Sequence, residues 1–281
     1  MSHQTTPFKR KHRFAQHFLE PAWVQKLIEI IHPTSGDEFL EVGPGHGVLT
    51  SALANAGATV TAVEIDRNLA SSLASSVPER VTIINDDFLK IDIEDAVREL
   101  EQHSTRTPVT LRVVGNLPYN VSVPILLKVL RASGCGTTIR DATLMLQYEV
   151  ADRVTAAAGS PSYGPLSITT QLYATAHHVL SLPPGAFRPV PKVRSALVAL
   201  RFRPLDRIPT QPALFERMVR SLFTQRRKQG GNAIGPFAQS VSTLAGSDVF
   251  QQAGLDPKRR PGELELSELI DLAEVLASYR S

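Results

Sequence analysis

The segment Phe39-Leu40-Glu41-Val42-Gly43-Pro44-Gly45-His46-Gly47-Val48-Leu49-Thr50 constrains the fold more than any other stretch of this chain. An apolar run meets three glycines at alternate positions, and an apolar-periodic stretch from Val48 to Ala56 follows. That order reads as strand, sharp turn, helix. Glycine suits such a turn because the backbone must bend sharply and a ligand must approach it closely. A second apolar run, Ala58 to Val63, ends at Glu64, a carboxylate placed to accept hydrogen bonds from the two hydroxyls of a ribose. Val48 stands where the last glycine of a dinucleotide-binding G-x-G-x-x-G fingerprint belongs, so a nicotinamide cofactor is disfavoured. The spacing present, G-x-G-x-G, favours a nucleoside without a pyrophosphate, as in S-adenosylmethionine.

Two further strand ends carry polar groups. Val81-Thr82-Ile83-Ile84 delivers Asn85-Asp86-Asp87-Phe88, where Asp87 is placed to accept the amino group of an adenine, with Phe88 beside the ring. A solvated acidic turn is the plainer alternative, and the position of Asp87 at the end of a strand favours the first reading. Leu111-Arg112-Val113-Val114-Gly115 leads into Asn116-Leu117-Pro118-Tyr119. The Asn116 amide oxygen can accept one hydrogen of a planar exocyclic amine, and Pro118 restricts the backbone so that a nearby carbonyl can accept another. Tyr119 offers a face on which a nucleobase stacks. Taken alone, the tetrapeptide reads equally well as a strand-ending turn with a core tyrosine.

Strands and helices alternate through about the first 180 residues, as in a doubly wound α/β unit. Helices are expected near 121–132, 149–157 and 166–175, a strand near 142–147, and an antiparallel edge pair near 178–182 and 195–202. The loop between that pair holds Pro183, Pro184, Pro189 and Pro191, which stiffen it. A boundary follows near Pro204 to Pro212, and beyond it the periodicity is helical. The expected division is a basic arm over 1–20, an α/β domain over 21–206 and a small all-helical domain over 207–281. Ser267 and Glu268 read as the capped start of the last helix.

Net charge is only +3, but residues 1–20 hold four Lys or Arg against one acid, 21–182 hold 11 against 17, and 183–281 hold 15 against nine. Cationic ends suit a polyanionic partner better than a small substrate. Lys9 to Arg13, Arg188, Lys192, Arg194, Arg201, Arg203, Arg217, Arg220, Arg226-Arg227-Lys228 and Lys258-Arg259-Arg260 are candidate phosphate contacts. About half are expected to be simply solvated. The single cysteine, Cys135, excludes an intramolecular disulfide and reads as a small buried filler. No apolar run approaches a membrane span and no secretory h-region is present, so a soluble, cytoplasmic protein is expected. No heptad or long exposed apolar helix face appears, which makes a monomer the default.

Gln16-His17-Phe18-Leu19, Glu41 to Gly47, Glu64-Ile65-Asp66, Asp87, Asn116 to Asn120 and Phe187-Arg188-Pro189-Val190-Pro191-Lys192-Val193 together resemble the ribosomal RNA adenine N6,N6-dimethyltransferases, from about Phe14 to the C-terminal tail. The resemblance implies a Rossmann-like class I S-adenosylmethionine-dependent methyltransferase sheet. It implies cofactor contacts at His17, Leu19, Gly43, Gly45, Glu64, Asp87 and Asn116, and catalysis by Asn116, Leu117, Pro118, Tyr119 and Phe187. Phe187 would close over the target base opposite Tyr119, if it is not a core residue. Arg188, Lys192, Arg226, Arg227 and Lys228 would contact RNA. Leu117 and Lys192 to Ala196 tilt the likeness to the branch that acts on two adjacent adenosines near the 3′ end of 16S rRNA during small-subunit maturation. The alternatives are the macrolide-resistance branch, which acts on 23S rRNA, and an assembly factor that binds RNA without turnover. No metal is called for. Two departures stand out: His17 occupies a position usually asparagine, and Gly230-Gly231 follow the basic triplet, where they are expected to loosen the helix.

Overall fold

Residues 17–95, 110–134, 139–202 and 207–279 are described by the computed structural model. Gln16, the basic run 9–13, Cys135 and Arg203 lie outside them. The described elements run β1 (Phe18–Leu19), α1 (Pro21–Ile31), β2 (Glu38–Val42), α2 (Val48–Asn55), β3 (Thr59–Val63), α3 (Arg67–Ala74), β4 (Val81–Ile84), β5 (Leu111–Asn116), α4 (Ser122–Gly134), β6 (Ile139–Gln147), α5 (Tyr148–Thr155), α6 (Pro165–Tyr173) and β7 (Ala174–Leu182). After β8 (Phe187–Arg188) and β9 (Ser195–Phe202) come the helices α7 (Pro212–Thr224), α8 (Gly230–Val241), α9 (Gly246–Gln252) and α10 (Leu266–Ser278).

Local chemistry accounts for several of these bounds. Pro21 opens α1, where its missing N–H costs nothing, and Val24, Leu27 and Ile31 recur at helical spacing on the buried face. Asp66 caps α3 by accepting from the Asn68 amide at 2.8 Å and the Leu69 amide at 3.3 Å. β2 and β5 are interior strands of the sheet, and most of their positions are buried, as strands covered on both faces require.

Seven strands form one sheet in the order β4-β3-β2-β5-β6-β9-β7. β2 to β6 are mutually parallel where they pair, and β9 inserts antiparallel between β6 and β7. At this end of the sheet β7 is the edge strand, with β9 one place inside, and β4 is the opposite edge. From β2 the chain winds outward through β3 and β4, then returns to β5 on the other side. Ligands of such sheets bind at that reversal, beyond the carboxyl ends of the strands. Val42 faces Gly115 across it, and a Cβ on Gly115 would lie 2.7 Å from the Val42 carbonyl oxygen, so glycine permits the close approach.

Apolar clusters cover both faces. One joins Leu40, Val113 and Leu144 to α4 and α5, and the other joins Phe39, Val60 and Val114 to α1 and α2. At the far end of the strands buried Arg112 donates to Asp37 Oδ2 and Asp141 Oδ1, both at 2.9 Å, and to the Ile31 carbonyl at 2.7 Å. This pairing explains a cation inside an apolar strand. Among the described residues no helix is long and apolar enough to cross a membrane.

A third cluster joins α7, α8, α9 and α10 to Tyr163, Ile168 and Leu172 of the α6 region. The Tyr163 hydroxyl, fully buried, donates to the Leu264 carbonyl at 2.9 Å. Gly230 and Gly231 do not loosen a helix; they begin α8 and are buried. A Cβ on Gly230 would lie 2.2 Å from Phe250 Cζ, and one on Gly246 would lie 2.0 Å from the Gly231 carbonyl oxygen. Gly230 thus makes room for the Phe250 ring, and Gly231 with Gly246 lets α8 and α9 touch backbone to backbone. The capping residue of α10 is Glu265 rather than Ser267, and its amide donates to Glu268 Oε2 at 2.8 Å.

Candidate active site

One pocket opens at the topological reversal, and its walls come from five separate strand ends. β1 supplies His17 and Phe18, β2 supplies Gly43 and Gly45, β3 supplies Glu64 and Ile65, β4 supplies Asp86 to Phe88, and β5 supplies Asn116 to Tyr119. The sequence predicts most of these residues, and the fold brings them to one place.

Gly43 and Gly45 have φ of +67° and +58°, a region that side chains rarely adopt. A Cβ built on Gly43 would meet nothing within 4 Å, so the loop presents bare backbone to open space, as a nucleoside cofactor requires. Glu64, 2 % exposed, accepts from the Gly45 amide at 3.0 Å through Oε2 and from the Asp66 amide at 2.9 Å through Oε1. Each carboxylate oxygen has a second lone pair, so a vicinal diol can be bound without breaking these bonds. Asp87 Oδ1 accepts from the Leu89 amide at 3.0 Å, which fixes the carboxylate at the pocket wall. Phe88 and exposed Ile65 supply apolar surface next to it.

Behind the loop lies Glu41, buried on β2. Burial pushes its carboxyl up to about 7, the nearby Glu64 charge adds to that, and the Thr50 hydroxyl pulls the other way. Thr50 makes no well-formed bond to it: Glu41 Oε2 and Thr50 Oγ1 both lack hydrogen-bond partners among the described residues.

At the other end of the pocket Asn116 Nδ2 donates to the His17 carbonyl at 2.6 Å. The amide nitrogen is thereby used, and Oδ1 is left as the acceptor. His17 Nδ1 in turn donates to the Pro189 carbonyl at 2.7 Å, after the cis Arg188-Pro189 peptide. The Tyr119 hydroxyl shares a 2.6 Å hydrogen bond with Ser195 Oγ. Its ring centroid stands 5.4 Å from that of His17, and burial raises the phenol above its ordinary range, with the Ser195 bond opposing.

Two expected site residues are placed elsewhere. Phe187 is fully buried in the cluster around Phe39 and Leu197, beneath the pairing of β1 with β8. It does not face the pocket, so the expected clamp over a base by Phe187 is corrected: the ring is core. The Leu19 side chain packs against the same cluster and does not line the pocket, because Phe18 takes the pocket side of β1. Phe18 also packs against His46, with ring centroids 4.2 Å apart and planes tilted by 46°. The sequence reading also missed Ser195 and Ile65. Their motifs were visible, but their partners lie far away in the chain.

The expected RNA contacts divide. Lys192, Arg227 and Lys228 are exposed. Arg188 is exposed and pairs with Glu20 at 3.2 Å. Arg226 differs: its Nη2 donates to the Ser160 carbonyl at 2.8 Å and its Nη1 to the Pro161 carbonyl at 2.5 Å, so its guanidinium already has partners in the protein. Arg259 is likewise held by Glu268. Among the described residues no group of side chains could hold a metal ion.

A model of the family described as ribosomal RNA adenine dimethylase matches residues 7–256. Among curated proteins, the chain is 37% identical over 272 residues to the ribosomal RNA small subunit methyltransferase A of Acinetobacter baylyi, covering 95% of this chain and 92% of that one. The protein of the same name from Pseudomonas aeruginosa is 37% identical over 275 residues, covering 96% and 95%. Among solved structures, a dimethyladenosine transferase from Plasmodium falciparum shares the fold at a TM-score of 0.73 and 22% identity, covering 91% of this chain and 96% of that one. The 23S rRNA methyltransferase ErmE superposes at a TM-score of 0.65 and 27% identity, covering 92% and 99%.

Proposed function

This chain belongs to the ribosomal RNA adenine dimethylase family, and on that premise we propose that it methylates N6 of two adjacent adenosines near the 3′ end of the small-subunit RNA. The product is N6,N6-dimethyladenosine, made during maturation of the small subunit, with S-adenosylmethionine as donor and a monomer as the working form. The observation that carries this reading is the Asn116 carboxamide, fixed through its nitrogen by the His17 carbonyl with its oxygen left free at the pocket. The small-subunit relatives match at 37% identity, against 27% for the 23S enzyme, which favours the small-subunit substrate.

Glu64 binds the ribose hydroxyls, Asp87 the adenine amino group, and Gly43, Gly45 and His17 the amino-acid end of the cofactor; Leu19 contributes through its backbone alone. S-adenosylmethionine brings a sulfonium-bound methyl that is electrophilic without further activation. The residues of this chain act on the nucleophile. The lone pair of adenine N6 is delocalised into the ring, and acceptance of its hydrogens by Asn116 Oδ1 and a carbonyl near Pro118 favours a pyramidal nitrogen. This is alignment and electrostatic stabilisation; the proton leaves to water afterwards. Tyr119 stacks on the base, which must be looped out or flipped to enter. Lys192, Arg227 and Lys228 meet phosphates, and the helical region from about residue 207 acts as the RNA-gripping domain.

Mass spectrometry of ribosomal RNA from cells with and without the gene tests the proposal. Loss of dimethyladenosine from the small-subunit RNA is expected. Loss from the large-subunit RNA instead would transfer the function to the resistance branch, and no change in either would leave an RNA-binding factor without turnover.

A further inference from the structure

The stretch Val121 to Leu130 holds a single charge, Lys128, on the helix α4, which sends Ile125 to the pocket wall. Lys128 is half-buried and does not line the pocket itself. Its ammonium instead crosses to the turn that follows β4, where Nζ donates to the Phe88 carbonyl at 2.8 Å and to the Ile91 carbonyl. Nζ also stands 5.6 Å from the centroid of the Phe88 ring, within reach of a cation–π attraction. Among the described residues Lys128 forms no ion pair, so backbone carbonyls and the ring carry the contact. Burial pushes the ammonium below its ordinary range, whereas Asp92 and Asp87 favour its charged form.

That turn presents Asp87 and Phe88 to the pocket. Inside it the Lys90 amide donates to the Asp87 carbonyl at 2.8 Å, and the Leu89 amide donates to Asp87 Oδ1 at 3.0 Å. Those bonds set the shape of the turn. Lys128, 40 residues from Phe88 and 37 from Ile91, sets its place against α4. Hydrogen bonds from a charged donor are stronger than neutral ones, and removing this donor leaves two carbonyls without it. We propose that Lys128 is a positioning residue for the adenine of the cofactor: by pinning the Phe88 and Ile91 carbonyls to α4, it holds Asp87 against the adenine amino group and Phe88 against the ring. This rests on the cofactor assignment above.

Calorimetry with S-adenosylhomocysteine and with S-inosylhomocysteine, whose purine carries an oxo group in place of the amino group, tests the proposal. Lys128→Met keeps an unbranched stem without the ammonium. It should weaken S-adenosylhomocysteine binding by about 10-fold, the lower end for hydrogen bonds to a charged group, and S-inosylhomocysteine binding much less. Lys128→Arg should recover part of the loss, because a guanidinium can donate to both carbonyls. In an Asp87→Ala background Lys128→Met should add little further loss, as expected of residues acting through one contact. Equal losses for the two ligands, or full additivity with Asp87→Ala, would make Lys128 a general packing residue and overturn the proposal. So would wild-type affinity in folded Lys128→Met. Should that variant fail to fold, Lys128→Gln, which keeps a neutral donor, carries the same comparison. A wild-type protein that binds no S-adenosylhomocysteine would instead sink the cofactor assignment itself, independently of these variants.

Discussion

At the scale of single residues the site depends on atoms already committed to the protein. Asn116 is anchored by its nitrogen, so Asn116→Ala removes an acceptor without freeing a buried charge. Its effect should fall on the chemical step: single-turnover methyl transfer is expected to slow by about 100- to 1000-fold, while RNA and cofactor affinities change little. A wild-type rate at saturating substrates would remove Asn116 from the reaction. Glu41 gives a second test, in stability. Its native carboxyl holds a proton up to about pH 7, against an ordinary value of 4.5, so the unfolded chain releases that proton first. The contribution to stability is whole below about pH 4.5 and is lost as pH rises through about 7, a difference of roughly 3 kcal/mol at about 1.4 kcal/mol per unit. Glu41→Gln should therefore melt higher than wild type at pH 8 and similarly at pH 4.5; equal melting at both values would contradict it. Gly43, Glu64, Asp87 and Asn116 were legible in the sequence because each closes an apolar run at a strand's carboxyl end. Ser195 and the His17 carbonyl were not, since they matter only through partners 76 and 99 residues away.

Among elements, the sheet was easier to read than the helical region. β2, β3, β4 and β5 announce themselves as short apolar runs with polar ends, and a parallel sheet leaves few ways to order them. Insertion of β9 between β6 and β7 follows from seven residue pairs with β6 and eight with β7, which no local pattern states. The start of α8 was misread for a different reason. A glycine pair lowers helix propensity, but propensity yields to packing where two backbones cross, and Gly231 and Gly246 are the points of crossing. Gly246→Ala should accordingly cost stability by about 1–3 kcal/mol or more, the range for overpacking a filled interior, read as a lower denaturation midpoint. A variant as stable as wild type would show that α8 and α9 part easily.

In the whole molecule, cations that look alike in sequence have separate tasks. Arg226 ties the turn after α7 to the loop at Ser160 and Pro161, whereas Arg227 and Lys228 face solvent. Neutralising Arg227 and Lys228 together should flatten the log-log salt dependence of RNA binding by about 1.4 to 1.8, at about 0.7 to 0.9 per phosphate contact, and leave melting unchanged. Arg226→Ala should do the reverse, lowering the melting temperature with little change in slope. The same slope change from both variants would refute the division. The two-residue pairing of β1 with β8 has a consequence in time. His17 finds its Pro189 partner 172 residues later, and Tyr119 must await Ser195. During synthesis the parallel strands are complete at Gln147, yet both of these pocket contacts are missing until some 50 more residues emerge, on the order of 2 to 10 s at about 5–20 residues per second. A nascent chain therefore acquires its sheet first and its methyl-transfer pocket last.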